Sequence, residues 1–200
     1  ELPVVDAGLQ RLRDTEFPPF QQAIRYGVAS LMTAHVLYRA LDPEAPATLS
    51  SAVIQRLLRE EFRYEGVVFT DDLEMHAIID HDGIGEAAVR SFVAGCDVLL
   101  ICKDQDRVMT AMQAMERAVK DGRITQERLD QSLARVAKLK ARYLHPYKPV
   151  TISDARLVVG CRSHKVLLDS WHKAYARIPK PTLVERGQAA PAHDSPVTHV

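Results

Sequence analysis

The sequence predicts an α/β fold organised around parallel β-strands. Three apolar runs, residues 28–32, 67–70 and 98–102, are continuous rather than alternating, which is typical of strands that are covered on both faces. Segments with helical periodicity separate these runs. Strand, helix and strand in that order and at that spacing favour right-handed crossovers, and therefore a parallel sheet.

Five segments carry apolar residues three or four positions apart, the spacing of one helix face. These faces are formed by Phe20 and Ile24; by Val53, Ile54, Leu57 and Leu58; by Ala87, Ala88 and Phe92; by Val108, Met112, Met115 and Val119; and by Leu129, Leu133, Val136 and Leu139. Gly27 and Gly95 stand where a helix C-terminal glycine is expected. Ser50 or Ser51 is a suitable N-cap for the second helix, and Thr125 for the last.

Three strands leave two unpaired edges, so the sheet is either small and open or part of something larger. Residues 76–85 are predicted as a looser stretch ahead of the third helix. After residue 145 the periodicity weakens. Residues 146–177 are predicted as a peripheral helical extension, with a helix over 157–171. Residues 178–200 are rich in Pro, Ala and His and are predicted as a disordered tail.

Composition excludes several classes of function. The chain has 26 basic and 26 acidic residues, so no overall field favours nucleic acid or an anionic membrane. It has no basic stripe with interleaved aromatics, no glycine-rich phosphate loop, and no apolar run near the ~20 residues that span a bilayer. The three cysteines lack metal-ligand spacing, and Cys96 and Cys102, which flank a strand, are predicted to be reduced core residues. A reducing, cytoplasmic location is expected.

Polar residues follow each predicted strand, at the sheet edge where parallel α/β proteins place their chemistry. They are His35, the pair Asp71 and Asp72, and the pair Lys103 and Asp104. Such residues are also common where a chain turns, and that interpretation is preferred for the third group. It fits the acid pair poorly, because one solvated acid would serve a turn and two repel each other. The acid pair is therefore the candidate site.

The segment around the acid pair, GVVFTDDLEMHAI (residues 66–78), resembles the nucleophile segment of family 3 glycoside hydrolases. Among these it is most similar to the bacterial β-N-acetylhexosaminidases of cell-wall recycling. The segments ELPVV at the start, GVASLMTAHVLYRALDPEAPATLS (residues 27–50) and GRITQERLDQSLARVAKLK (residues 122–140) extend the resemblance over residues 1–145. It implies the later strands and helices of a catalytic (β/α)8 TIM barrel, that is, its C-terminal part.

The resemblance implies roles for individual side chains. Asp71 takes the position of the catalytic nucleophile, which would form a covalent glycosyl-enzyme and give retention of configuration. Since only one of two adjacent side chains can readily point at a single reacting centre, Asp72 is expected to support its neighbour through hydrogen bonds or a loop contact. His35 would bind substrate hydroxyls, and Met32 and Met75 would contact a sugar ring or an acetamido methyl. The alternatives are a histidine satisfied by backbone carbonyls and methionines that fill the core.

The sequence departs from the family pattern at its start. In the family, a segment of the form KHFPGHG and a loop of the form DTxxDSH, which carries the acid/base histidine, precede the equivalent of ELPVV. Neither segment occurs here. We therefore expect the C-terminal half of the barrel, with the acid/base histidine outside the chain and the N-terminal half as its missing partner. The isolated chain is expected to be inactive.

The expected function is retaining hydrolysis of terminal β-linked N-acetylglucosamine from muropeptide-derived saccharides, with no cofactor, no metal, no nucleic acid and no membrane span. One alternative is a metal-assisted hydrolase that uses residues 71–82, which include Glu74, His76, His81 and Asp82. The gap of five between the two histidines does not suit one helical face. The other alternative is a non-catalytic half-barrel, kept as an interaction module or pseudoenzyme.

Overall fold

The computed structural model describes the backbone of residues 2–176, and the side chains in that range except those of residues 76, 77 and 79–82. The chain divides into two compact units, Glu1–Tyr147 and Lys148–Val200. Among the described residues, every helix is too short or too polar to span a lipid bilayer. The predicted disordered tail, residues 178–200, lies outside the described residues.

The first unit mixes short strands with helices. In chain order it contains β1 (Val4–Val5), α1 (Leu9–Arg11), a π-helical segment (Leu12–Glu16), α2 (Phe17–Arg25), β2 (Ser30–Met32), β3 (Leu37–Tyr38), a 3-10 helix (Ala47–Leu49), a π-helix (Ala52–Glu61), β4 (Val67–Asp72), α3 (His76–Ala94), β5 (Val98–Leu100), α4 (Gln105–Lys120) and α5 (Gln126–Leu144). The second unit contains α6 (Ile152–Val158) and α7 (Arg162–Tyr175).

The three predicted strands form one parallel sheet in the order β2, β4, β5. Ser30 pairs with Val67, and Phe69 pairs with Val98. The predicted α/β class with parallel strands is therefore confirmed. A second, two-stranded parallel sheet joins β1 to β3 and was not predicted, because two-residue strands leave no periodic signal.

Burial differs between the central strand and its neighbours. Val67 and Val68 at the start of β4 are fully buried, whereas β2 and β5 are only partly covered. The prediction that all three strands are covered on both faces is thus wrong for the outer two. An edge strand has a neighbour on one side only, and among the described residues β2 and β5 have no further strand beside them.

Predicted helix ends are confirmed at both termini. The hydroxyls of Ser50 and Thr125 each accept a hydrogen bond from the amide three residues later, at 3.2 Å, which satisfies a free donor of the first turn. Gly95 follows α3 with φ of 127°, and a Cβ there would lie 2.7 Å from Cγ2 of Ile54. Only glycine fits at that position.

The stretch predicted as loose, residues 76–85, is helical instead. α3 begins at His76 and bends at Gly83, whose φ of 68° and ψ of 156° interrupt the helix. Ile78 and Ile84, on either side of the bend, are buried in a cluster that includes Leu73 and Ala87. The burial of these two isoleucines thus stabilises residues 76–85 as a helix, although their polar composition suggested a loop.

In the second unit, the single helix predicted over residues 157–171 is wrong. Two helices occur there, and the chain turns between them at Gly160, which has φ of 66°. The hydroxyl of Thr151 caps α6 by accepting a hydrogen bond from the amide of Asp154. Neither α6 nor α7 contains a buried residue.

Candidate active site

The acid pair forms the last two residues of β4, not the turn after it. Phe69 pairs with Val98, and Asp72 pairs with Leu100. Asp72 is three residues after Phe69, whereas Leu100 is only two residues after Val98, so the register of the two strands shifts between these pairs. The hydroxyl of Thr70 accepts the Leu100 amide at 2.9 Å in that gap. Strand irregularities of this kind redirect side chains and are frequent beside active sites.

The carboxylate of Asp71 is half-buried and held at one oxygen. Its Oδ1 accepts the backbone amide of Asp72 at 2.8 Å. Among the side chains that the structure describes, none donates a hydrogen bond to Oδ2 of Asp71. The carboxylate is thus oriented through Oδ1.

Asp72 accepts hydrogen bonds from its own chain through both its side chain and its backbone carbonyl. Its Oδ1 accepts the amide of Glu74 at 3.1 Å, and its carbonyl oxygen accepts the amide of Met75 at 3.1 Å. The same carbonyl oxygen lies 2.9 Å from Nε2 of His35. Asp72 therefore fixes the turn that follows β4, and the two adjacent acids have different environments.

His35 is 4% exposed, and both of its ring nitrogens have partners within the chain. Nδ1 lies 2.8 Å from the hydroxyl of Thr48, and Nε2 lies 2.9 Å from the carbonyl oxygen of Asp72. This geometry does not support the predicted contact with sugar hydroxyls. It agrees in part with the alternative, a histidine satisfied by backbone carbonyls, because one partner is a carbonyl oxygen and the other is a hydroxyl.

Met32 and Met75 are exposed, at 58% and 46%, so neither fills the core as the alternative interpretation had it. Met32 also lines an apolar cavity of about 180 Å³, together with Phe17 and Leu57. Asp71 does not line that cavity. A contact of these methionines with substrate stays a prediction.

Glu74 joins the two loops at this edge of the sheet, and sequence reasoning missed its role. Its largely buried carboxylate accepts the amides of Cys102, Lys103 and Asp104, at 2.8, 2.6 and 3.2 Å, and lies 3.4 Å from Arg107. Successive amides at a helix start form a natural cradle for an anion. The loop after β4 is thus fastened to the loop after β5.

In the third group of strand-end residues, Asp104 has the structural role that was preferred for the group. The side chain of Asp104 caps α4 by accepting the amides of Asp106 and Arg107. Cys102, predicted as a core residue, is instead exposed. Partial desolvation, together with the nearby carboxylates of Asp72, Glu74 and Asp71, raises the pKa of the Cys102 thiol.

A second polar cluster lies at the opposite, N-terminal end of the strands and was also missed. It centres on Asp97, whose side chain is fully buried. The carboxylate accepts hydrogen bonds from Arg59 (2.7 Å), Ser132 (2.6 Å), the Val68 amide (2.9 Å) and Arg135 (3.1 Å). In parallel α/β folds this end serves stability rather than chemistry.

Among the residues whose side chains are described, no three or more His, Cys, Asp or Glu are arranged to hold a metal ion. The side chains of His76, His81 and Asp82, which the metal-assisted alternative requires, lie outside the described set.

Comparison with known proteins identifies the family of the chain. Residues 1–139 match the glycosyl hydrolase family 3 N-terminal domain. A beta-hexosaminidase from Nitrosomonas eutropha is 36% identical over 62% of this chain and 36% of its own length. Beta-hexosaminidase A from Pseudoalteromonas piscicida is 32% identical over 83% of this chain and 30% of its own length.

The solved structure of a glycoside hydrolase family 3 beta-N-acetylglucosaminidase from a Paenibacillus species superposes with a TM-score of 0.74 at 43% identity. That match covers 80% of this chain and 30% of the Paenibacillus protein. The chain thus spans about a third of the length of the curated relatives and of the solved structure that it matches. Since the matched family model covers well over half of its residues, the chain belongs to the glycosyl hydrolase family 3 N-terminal domain family.

Proposed function

We propose that this chain supplies the nucleophile of a retaining β-N-acetylhexosaminidase. The observation that carries the proposal is the carboxylate of Asp71, which ends the central strand with Oδ1 held by the Asp72 amide and with Oδ2 accepting no hydrogen bond from any described side chain. The similarity to proteins named beta-hexosaminidase and beta-N-acetylglucosaminidase supports the choice of sugar.

In the proposed reaction, Oδ2 of Asp71 attacks the anomeric carbon of a terminal β-linked N-acetylglucosamine. The bond from that carbon to the leaving-group oxygen breaks, and the oxygen takes a proton from a general acid. The result is an ester between Asp71 and the sugar. Water, deprotonated by the same group, then attacks the anomeric carbon and frees the carboxylate with overall retention. Met32 and Met75 would give apolar contact to the sugar.

The general acid is the part of this scheme that the described residues do not supply. His35 is buried and engaged at both nitrogens, and the carboxylate of Glu74 is engaged by three amides. We therefore assign proton transfer to a histidine in the N-terminal half of the barrel. Positioned proton transfer is worth ~10²–10⁴-fold, so the chain alone should be inactive.

The proposed barrel places β2, β4 and β5 among its later strands. Two features support it: β2 and β5 are short and partly exposed, and the relatives are about three times longer than the matched region. The saccharide is proposed to derive from muropeptides during peptidoglycan recycling. Three free cysteines are consistent with the reducing cytoplasm.

The test is hydrolysis of an aryl N-acetyl-β-glucosaminide by the chain alone and by the chain mixed with the N-terminal barrel part of the Nitrosomonas eutropha relative. We expect turnover only after mixing, abolished by Asp71→Ala and only reduced by Asp72→Ala. If the unmixed chain turned over the substrate, and Asp71→Ala abolished that turnover, the proposal that the general acid lies outside the chain would be refuted. If the two substitutions had the opposite order of effect, the nucleophile would be Asp72. No turnover in any sample would favour a non-catalytic module.

A further inference from the structure

A buried chain of side chains leads from the loop after β2 to the acid pair. Thr33 and Thr48 have their hydroxyl oxygens 2.9 Å apart, and the Thr48 hydroxyl lies 2.8 Å from Nδ1 of His35. Nε2 of His35 reaches the carbonyl oxygen of Asp72 at 2.9 Å. Thr48 is 0% exposed. The proposed reaction uses none of these groups directly.

The direction of these hydrogen bonds follows from the carbonyl oxygen at one end. A carbonyl oxygen only accepts, so Nε2 of His35 must carry the hydrogen. In a neutral imidazole Nδ1 is then an acceptor, and the Thr48 hydroxyl must donate to it. The Thr48 oxygen is left to accept from the Thr33 hydroxyl. Every donor has one acceptor, and only one neutral tautomer of His35 satisfies the set.

The tautomer matters because of what Asp72 holds. Its carbonyl oxygen receives two hydrogen bonds, from His35 and from the Met75 amide, so both lone pairs are used. Its amide donates to Oδ1 of Asp71 at 2.8 Å. A single Cα joins these two groups, so restraining the carbonyl also restrains the donor that orients the Asp71 carboxylate.

We propose that His35 is a positioning residue for Asp71, held by Thr48 as the neutral tautomer with hydrogen on Nε2. The role of Asp71 as nucleophile rests on the function proposed above, whereas the tautomer and the restraint on Asp72 do not. His35 thus acts on the reaction through the backbone of Asp72, without touching the sugar.

The matched variants are Thr48→Val, which keeps the shape and removes the hydroxyl, and Thr48→Ser, which keeps the hydroxyl. Ser91→Ala is the control, since Ser91 is also 0% exposed and its hydroxyl donates locally, to the Ala88 carbonyl oxygen. At His35, Gln can place an amide nitrogen near the position of Nε2, whereas Asn is too short to do so.

The first measurements need no activity and use the full chain. Ring nitrogen NMR of His35 should show hydrogen on Nε2. Exchange of the Asp72 amide should become about tenfold faster in Thr48→Val and stay near the wild-type rate in Thr48→Ser and Ser91→Ala. Hydrogen on Nδ1, a mixture of tautomers, or unchanged exchange in Thr48→Val would overturn the proposal.

The second measurement uses whichever sample turns over the aryl glycoside. Thr48→Val and His35→Asn should lower kcat by about 10–100-fold with KM within about twofold, since small misplacements of a reacting group cost rate rather than binding. Thr48→Ser and His35→Gln should recover most of the loss. An effect on KM alone would show that His35 binds substrate, contrary to the proposal. If nothing turns over, the nucleophile role fails, while the NMR results still decide the tautomer and the restraint.

Discussion

Replacing Asp97 by Asn should be among the most destabilising changes in the chain. The Asp97 side chain is fully buried, and those of Arg59 and Arg128 beside it are only 7% and 12% exposed. Burial lowers the pKa of both guanidiniums, and the charge of Asp97 opposes that effect. Asn keeps the shape and removes the charge, so two buried cations would lose their counter-ion.

The expected loss is about 3–5 kcal/mol, the usual effect of breaking a buried ion pair on one side. Domains are stable by only ~5–15 kcal/mol, so a large fraction of the folding free energy is at stake. Ser132→Ala removes one hydrogen bond to Asp97, of 2.6 Å, and should cost about 1 kcal/mol. Glu65→Gln breaks a pair with Lys138 whose side chains are 86% and 77% exposed, and should cost ~0–1 kcal/mol.

The free energy of unfolding would be measured by urea denaturation followed by circular dichroism, with the slope m checked for constancy. The order of destabilisation should be Asp97→Asn, then Ser132→Ala, then Glu65→Gln. If Asp97→Asn lay within about 1 kcal/mol of Glu65→Gln, the buried cluster would not be a major source of stability. If Asp97→Asn does not fold, the comparison of Ser132→Ala with Glu65→Gln still tests the argument.

Three further predictions concern metal, thiols and acid. Extensive chelation with EDTA should leave hydrolysis by the active sample intact; loss restored by zinc or manganese would favour a metal-assisted hydrolase. Native thiol labelling followed by mass spectrometry should be fastest at Cys161, whose pKa is lowered by the Ser163 hydroxyl, slower at exposed Cys102, and slowest at Cys96, where burial raises the pKa to about 12. Burial alone would raise the pKa of Asp42, but hydrogen bonds from Ser50 and two amides lower it below 3.8. That stabilisation should be present above pH 3.8 and lost as pH falls through the lowered value, and Asp42→Asn should flatten the decline.

Features set by neighbouring residues were predictable from the sequence. Thr125 and Gly95 mark helix ends through local chemistry, and the apolar run before Asp71 marks the central strand. The bend in α3 was not predictable in this way, because Ile78 and Ile84 give too short an apolar pattern to outweigh the polar residues between them.

Features set by distant residues left no usable signal. Asp97 looks like a loop residue after Cys96, and its partners Arg59, Ser132 and Arg135 look like solvated helix positions, yet they lie 35–38 residues away along the chain. Glu74 was grouped with the loop acids. Its carboxylate accepts hydrogen bonds from backbone amides, and because every residue type except proline carries an amide N–H, no side chain in the sequence marks these donors.

The position of His35 at a strand end could be predicted from the sequence, but its hydrogen-bond partners could not. The resemblance to the family suggested substrate contact for His35, whereas its ring nitrogens lie beside the hydroxyl of Thr48, 13 residues later, and the Asp72 carbonyl oxygen. These partners lie 13 and 37 residues from His35 along the chain, and sequence periodicity carries no information about such contacts.

The central claim is that Asp71 forms a covalent bond to the sugar. A fluorinated N-acetylglucosamine analogue that slows breakdown of the intermediate would be incubated with the sample that hydrolyses the aryl glycoside, and the labelled peptide identified by mass spectrometry. We expect the label on Asp71, within residues 66–78, and none in the Asp71→Ala variant. A label on Asp72 or on another residue would contradict the assignment of the nucleophile, and full turnover of the analogue with inversion of configuration would contradict the covalent mechanism itself.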